Sequence, residues 1–476
     1  MNIKKFTKLL PYPLKQSIKY IYSLFPIKIR YGRVFWGTYN FLQESQWWSK
    51  EKLEQYQLEQ LESLLNHAYK NVPYYKKEFD LRGLKPKDIQ NIDDLKKLPI
   101  LTKDEFRDNS KLLTATNFKM SDLIISHTSG TTGKPLQWYV NELEDQKESA
   151  FIFHQWSRVG LKPGELLVQL RGSIINNKRR IDYDPVTNVL RLSPRIDGKE
   201  IARYYVEKIK ESGARFLHGY PSTIAMFAFL IKECKLRLSF KLKAVLFASE
   251  NVYPWQRRIA EEVFDCRVFS HYGMAERVVL AGECEKSIKY HCIPQYGIVE
   301  IDKQTKEIIG TSFISYVTPF IRYKTTDVAS ISIFSDCDKC GRNYFPVLNS
   351  VEGRVEDFII TPKGNFVSPA VITHPFKDLK TIKHTQIIQK TLNGIEVDIV
   401  PDYGYDRTQI KNEVEELQRG LQKIIGDNVN IRARIVDKIG LSKSGKFKWI
   451  ISNISENMLR KGLGAGIKKD NPSIKE

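Results

Sequence analysis

Apolar residues recur at helical spacing over residues 51–69, where Leu53, Tyr56, Leu61, Leu64, Leu65 and Ala68 share one face and charges occupy the other. The pattern predicts an amphipathic helix. Proline and lysine then interrupt it, so "PYYKKEF" and "LKKLPILTKDEF" predict short connections. Further on, "IARYYVEKIKESG" predicts a helix stopped by Gly213, and "STIAMFAFLIKECK" a second helix. The apolar run "KAVLFAS" (243–249) is short enough for a buried strand, "PWQRRIAEEVF" reads as a helix begun by Pro254, and "CRVFS" (266–270) as another strand. Strand, helix and strand at this spacing predict a parallel α/β sheet. Ligands of such sheets sit beyond the carboxyl ends of the strands. The polar segments "SEN" and "SHYGMAE", which end the two strands, should therefore face one crevice.

After about residue 350 the pattern changes. "GRVEDFIITPKGNFV" predicts a connector running into a hairpin with Gly364 near its turn. "IEVDIVPDY" and "VNIRARIVD" alternate like strands around the helix "TQIKNEVEELQRGLQKII". A small α+β domain of roughly 120 residues fits that arrangement.

Composition adds bounds. A chain of 476 residues has length for a large core and a second unit. No apolar run reaches 18 residues, so no membrane-spanning helix is expected. The N-terminus lacks the apolar core and cleavage site of a secretory signal, which predicts a cytoplasmic protein. Six cysteines in such a chain point to metal binding rather than a disulfide scaffold. The net charge of +20 is spread along the chain as solvated lysines, except in residues 1–43. That stretch holds Lys4, Lys5, Lys8, Lys15, Lys19, Lys28, Arg30 and Arg33, no acid, and interleaved Phe6, Leu9, Leu10, Tyr20, Tyr22, Leu24, Phe25, Phe35 and Trp36. The mix predicts peripheral contact with an anionic membrane, here its inner face.

The candidate chemistry starts at "SHTSGTTGKP" (126–135). A Walker A loop would need glycine where Thr128 stands and Ser or Thr where Pro135 stands, so this is not one. Even so, the amides of Gly130 to Gly133, the hydroxyls of Ser129, Thr131 and Thr132, and Lys134 suit a polyphosphate.

"SGTTGKP", "YGMAE", "RYKTTD", "GRVED" and a late "SGK" follow one another in the order found in adenylate-forming enzymes. From "VPYYKKEF" to "SGKFKW" the chain resembles that superfamily, in particular its phenylacetate–coenzyme A ligase branch and the CapK-like relatives from capsular polysaccharide clusters. The resemblance implies a large N-terminal AMP-binding domain, residues 1–352, hinged to a mobile C-terminal domain, residues 353–476. It implies ATP-dependent activation of a carboxylic acid through an acyl-adenylate, then acyl transfer to coenzyme A, a carrier-protein thiol, or an amine or hydroxyl of a glycan. Ser129, Gly130, Thr131, Thr132, Gly133 and Lys134 would hold the β- and γ-phosphates of ATP. Glu276 would bind Mg²⁺, a hard cation that takes carboxylate oxygen. Tyr272 would lie on adenine, Gly273 would let the backbone approach, and Ser249 and Glu250 would line the nucleotide crevice. Asp327 and Arg354 would hold the ribose. Lys446 would reach the carboxylate and the α-phosphate, neutralising charge as it develops. The domain rotation would pivot near Glu356.

Cys284, His291, Cys337 and Cys340 form C-x6-H…C-x2-C, a donor set suited to a closed, structural Zn²⁺; Cys292 is the alternative to His291. Tyr220, in "HGYPST", matches a segment lining the acyl pocket of relatives, with His154 and Arg171 as further candidate contacts. A zinc-bearing nucleic-acid binder would account for the charge and the Cys/His set, but for none of the five nucleotide motifs. An inert adenylate-binding remnant would not need Glu276, Asp327, Arg354 and Lys446 together.

Overall fold

In a computed structural model of the chain, the residues described are 10–128, 136–171, 180–194, 196, 198–332, 340–352, 359–362, 366–367, 369–372, 374–376, 379–402, 404–439, 449–452 and 454. Among them, twelve strands form one sheet with two characters. Leu167–Leu170, Val189–Leu192, Phe216–Gly219, Ala244–Phe247 and Arg267–Gly273 run parallel, with Ile181–Asp184 antiparallel at the edge. Beyond Arg267–Gly273 the pairing becomes antiparallel, through Leu280–Gly282, Tyr290–Cys292, Val347–Glu352, Tyr323–Ser332, Glu307–Ser312 and Gly297–Ile301.

Ala244–Phe247 is continuously apolar and buried, and its parallel neighbours are apolar at most of their positions, because both faces are covered. Val168, Leu217, Val245 and Val268 pack against Ile209, Phe227 and Ala260 of the helices Lys199–Ser212, Pro221–Glu233 and Pro254–Phe264. Their neighbours Leu167, Phe216, Ala244, Leu246 and Phe269 pack on Trp156 of the helix Glu142–Trp156. Gly213 ends its helix in the left-handed conformation, φ 67°, as its place in the sequence predicts. The helix expected over 51–69 spans Lys50–Asn71 and buries Leu53, Leu61, Leu64, Leu65 and Ala68.

The two segments expected as connections contain helices, Pro73–Leu81 and Lys103–Asp108. Pro73 occupies the first helical turn, where no N–H is needed, and Tyr74, Tyr75 and Phe79 supply a buried face. Thr102 and Glu105 form a capping box that starts the second helix. The acid-free N-terminal stretch also divides. Phe35 and Leu42 of the helix Arg33–Ser45 are core residues, whereas the helix Tyr12–Ser23 buries none of its side chains.

The smaller sheet has the order Asn430–Ile435, Gly394–Pro401, Ile382–Thr391, Ile450–Ser452, and the helix Arg407–Ile425 packs on it through Leu417 and Leu421. Ile359–Ile360 and Phe366–Val367 pair antiparallel as the expected hairpin, whose Gly364 lies outside the described residues. Tyr220 belongs to the same buried cluster as Val371, Ile372 and Phe376. Among the described residues no helix is long and apolar enough to cross a membrane.

Candidate active site

One strand, Arg267–Gly273, joins the two characters of the sheet. It pairs parallel with Ala244–Phe247 through its first residues and antiparallel with Leu280–Gly282 through His271, Tyr272 and Gly273. Ligands of parallel sheets bind in the crevice beyond the carboxyl ends of the strands, which is where this strand changes its pairing. The segments ending in "SEN" and "SHYGMAE" both reach it, as their parallel pairing requires.

Two tyrosine–carboxylate pairs stand at this crevice. Tyr272 Oη donates to Asp327 Oδ2 at 2.9 Å, and Tyr323 Oη donates to Glu276 Oε1 at 3.0 Å. Burial pushes both phenols well above their ordinary pKa, and the facing carboxylates add to it. Each hydroxyl therefore remains a donor. Glu276 is buried, and its second oxygen has no hydrogen-bond partner among the described residues. Gly273 admits little else: a Cβ there would lie 3.0 Å from Leu280 Cδ1.

Strained backbone surrounds these groups. Ser249, Arg277 and Thr326 adopt φ of 71°, 57° and 69°, a region costly for side-chain-bearing residues and enriched at functional sites. Asp145 holds Arg277 by an ion pair, and Lys103 Nζ donates to Thr326 Oγ1 at 3.0 Å.

Arg171, at the end of Leu167–Leu170, links three neighbouring strand ends. It donates to Ser249 Oγ at 3.1 Å, lies 3.1 Å from His218 Nε2, and sits 5.3 Å over the Tyr220 ring. Burial, and then the Arg171 charge, depress the His218 pKa well below the ordinary imidazole value. The neutral ring accepts from Arg171 at Nε2, and its Nδ1 lies 3.4 Å from Gln169 Nε2. Glu250 accepts from the Ser222 backbone N–H at 3.1 Å, at the start of the helix Pro221–Glu233. Tyr220 and Arg171 are thus brought together with Ser249. His154 is not part of this group. Its ring is buried beside the charges of Arg158 and Arg342, and neither nitrogen has a partner among the described residues.

The loop Ser129–Lys134 lies outside the described residues, as do Arg354, Glu356, Cys337 and Lys446. The ends of the loop are closed together. Ile124–His127 pairs with Gln137–Val140, and Thr128 and Leu136 exchange hydrogen bonds of 3.0 and 2.8 Å.

On the same sheet, Cys284, His291 and Cys340 place their donor atoms within 4.8 Å of one another. His291 Nε2 is 3.4 Å from Cys340 Sγ, while Nδ1 faces the Lys289 carbonyl at 3.2 Å, which fixes the tautomer that leaves Nε2 for a ligand. The Lys286 N–H points at Cys284 Sγ, 3.4 Å away. The Cys340 thiol is held well below its ordinary pKa, chiefly by its hydrogen bond with Cys284 and then by His291. Cys292, next to His291 on the strand, points to the opposite face and packs in the apolar core, where burial pushes it up to about 12. Tyr323, His218 and Gln169 were not singled out by the sequence. Tyr323 and His218 had a signal, their places inside "RYKTTD" and "HGYPST".

A family model described as the CapK C-terminal domain matches residues 359–453. The chain is similar in fold to a crystal structure of 2-hydroxyisobutyryl-CoA ligase in complex with 2-HIB-AMP and CoA in the thioesterification state, with a TM-score of 0.58 and 15% identity, covering 86% of this chain and 91% of that one. The chain thus shares the fold of that ligase. By sequence it is a homologue of the proteins named CapK and phenylacetate-coenzyme A ligase. It is 25% identical over 438 residues to Protein CapK of Staphylococcus aureus, across 90% of this chain and 94% of that protein. It is 24% identical over 395 residues to a phenylacetate-coenzyme A ligase of Pseudomonas putida, across 79% of this chain and 86% of that protein.

Proposed function

We propose that this protein activates a carboxylic acid with ATP, releasing pyrophosphate, and passes the acyl group from the adenylate to coenzyme A in the cytoplasm. The observation that carries the proposal is the pair of buried tyrosine–carboxylate contacts at the switch point of the sheet. Tyr272 presents a ring to adenine, and its hydroxyl aims the Asp327 carboxylate for the ribose diol. Arg354, within the segment joining the two units, supports the same sugar. Ser249 and Glu250 line the nucleotide crevice. Ser129, Gly130, Thr131, Thr132, Gly133 and Lys134 receive the phosphates between the clamped hairpin ends.

Glu276 fits a hard cation, since Tyr323 fixes one oxygen and leaves the other without a protein partner among the described residues. A bound Mg²⁺ would supply charge neutralisation between the phosphates. Lys446, on the C-terminal unit, neutralises the acid's carboxylate and the α-phosphate as they approach, and leaves when that unit (residues 353–476) turns about Glu356. Arg171 and Tyr220 border the acyl group. Cys284, His291 and Cys340, with Cys337, supply the four thiolate and imidazole donors of a closed zinc site. Such a site leaves no open position, so its part is structural.

Transfer to an amine or hydroxyl of a glycan, or to a carrier-protein thiol, is a second reading of the last step. The CapK relationship over nearly the full chain favours the glycan version, in surface polysaccharide synthesis. ATP–pyrophosphate exchange with separate pools of aryl, fatty, amino and hydroxy acids tests the first half. Exchange with one pool, lost in Lys446→Ala, is the expected result; none with any pool would sink adenylation. Coenzyme A thioester formation from the active pool then separates the acceptors.

A further inference from the structure

The helix Tyr12–Ser23 is turned inside out. Its polar side chains grip the protein: Tyr12 Oη and Gln16 Nε2 donate to Asp182 Oδ1 at 3.0 and 3.2 Å, and Lys19 Nζ donates to Asp184 Oδ2 at 2.8 Å. The short helix Ile27–Tyr31 is fastened beside it. Arg30 donates to the carbonyls of Pro185 and Val186, and Ile27 fills the notch at Gly164, where a Cβ would come within 1.9 Å of its Cδ1. The apolar residues are left outside. Leu14, Ile21 and Phe25 form a stripe at i, i+7 and i+11, with Tyr20, Leu24 and Ile29 beside it. Ile21 is 63% and Leu24 83% exposed. A soluble helix ordinarily shows the reverse, with apolar residues inward and charges outward.

We propose that these two helices form a lipid-docking surface, which lays their outward apolar face into the interface of an anionic bilayer. Two observations choose this occupant. The grips on Asp182, Asp184 and the Pro185 and Val186 carbonyls fix the apolar face outward on a rigid support, so it is not the loose side of a frayed helix. The charge around it has one sign. Residues 1–43 hold eight lysines and arginines and no acid, and the acids that the helix Tyr12–Ser23 touches, Asp182 and Asp184, are engaged by Tyr12, Gln16, Lys19 and Arg191. A second copy of the chain would bring two like-charged segments face to face, whereas anionic headgroups answer both the charge and the apolar stripe. This inference stands apart from the proposed ligase reaction, since none of these residues lies in the crevice.

The test is sedimentation of the full chain with phosphatidylcholine vesicles and with vesicles that also contain phosphatidylglycerol. Binding to the anionic vesicles that weakens as salt rises is the expected result. The variant Ile21→Glu, Leu24→Glu, Phe25→Glu should lower the bound fraction at least about tenfold with an unchanged unfolding midpoint. A Leu24→Cys protein carrying a polarity-sensitive fluorophore should shift to the blue with anionic vesicles, which reads insertion independently of any folding defect. No binding at low salt, equal binding to both vesicle types, or an unaffected triple variant would overturn the proposal. So would a dimer seen in sedimentation velocity that the triple variant dissolves, which would assign the face to a second copy.

Discussion

The crevice and the cysteine–histidine cluster hang on the same few strands yet are built by opposite rules. At the crevice, the carboxylates are held on one side only: Glu276 by Tyr323 and Asp327 by Tyr272. The backbone there is strained at Ser249, Arg277 and Thr326. At the cluster the donors face one another, His291 is oriented by Lys289, and Arg342 ties the Cys340 loop to Glu285 and Gln46. A site that must take and release a ligand keeps valences open and bears the strain. A site that holds the fold closes them.

The sharpest way to break this contrast is to remove charge from the crevice. Lys446→Ala should lower ATP–pyrophosphate exchange by about 10³-fold, and Glu276→Gln by about 10²-fold, both with an unchanged unfolding midpoint. If either variant unfolded early instead, the open groups would be structural and the comparison would fail. The cluster should answer in the opposite way. Cys284→Ser, or a chelator in mild urea, should lower the unfolding midpoint by roughly 5–10 °C, with exchange falling only as far as the folded fraction falls. Metal analysis of the purified protein should find one zinc per chain that Cys284→Ser loses.

A smaller effect separates the regions by pH. His154 and His218 are almost fully buried and both are depressed well below 6.5, first by burial and then by neighbouring guanidiniums: Arg158 for His154, Arg171 for His218. The unfolded chain therefore binds more protons than the folded one below pH 6.5, and stability is lost as pH falls through that value. The slope reaches up to about 1.4 kcal/mol per pH unit for each ring. His154→Gln and His218→Gln should each flatten the fall in unfolding midpoint between pH 6.5 and 5. Only His218→Gln should also alter exchange, because Arg171 leans on it.

Much of this was written locally in the chain. Gly213 and Pro254 mark helix ends by backbone preference alone, and the strand Ala244–Phe247 announces itself by an unbroken apolar run. The capping boxes at Thr102–Glu105 and Asn141–Glu144 are equally local, but the proline and lysine around the first point instead to a connection. The cross-strand contacts were not legible. Tyr323 meets Glu276 from 47 positions away, and Arg171 meets His218 from the same distance. Their pairing depends on register, which periodicity does not supply. For the helix Tyr12–Ser23 the periodicity shows that two faces exist, and leaves open which one the fold turns inward.

The smallest expected effect tests whether the crevice is poised for its ligand or blocked against it. Tyr272→Phe keeps the ring proposed for adenine, but Asp327 loses its donor. One hydrogen bond to a carboxylate contributes about 1–2 kcal/mol, so KM for ATP should rise roughly fivefold to thirtyfold while kcat holds. The opposite result has an equally definite meaning. If the hydroxyl occupies the lone pair that the ribose must take, its removal would lower KM, and the Tyr272–Asp327 contact would be a closed state that ATP has to open.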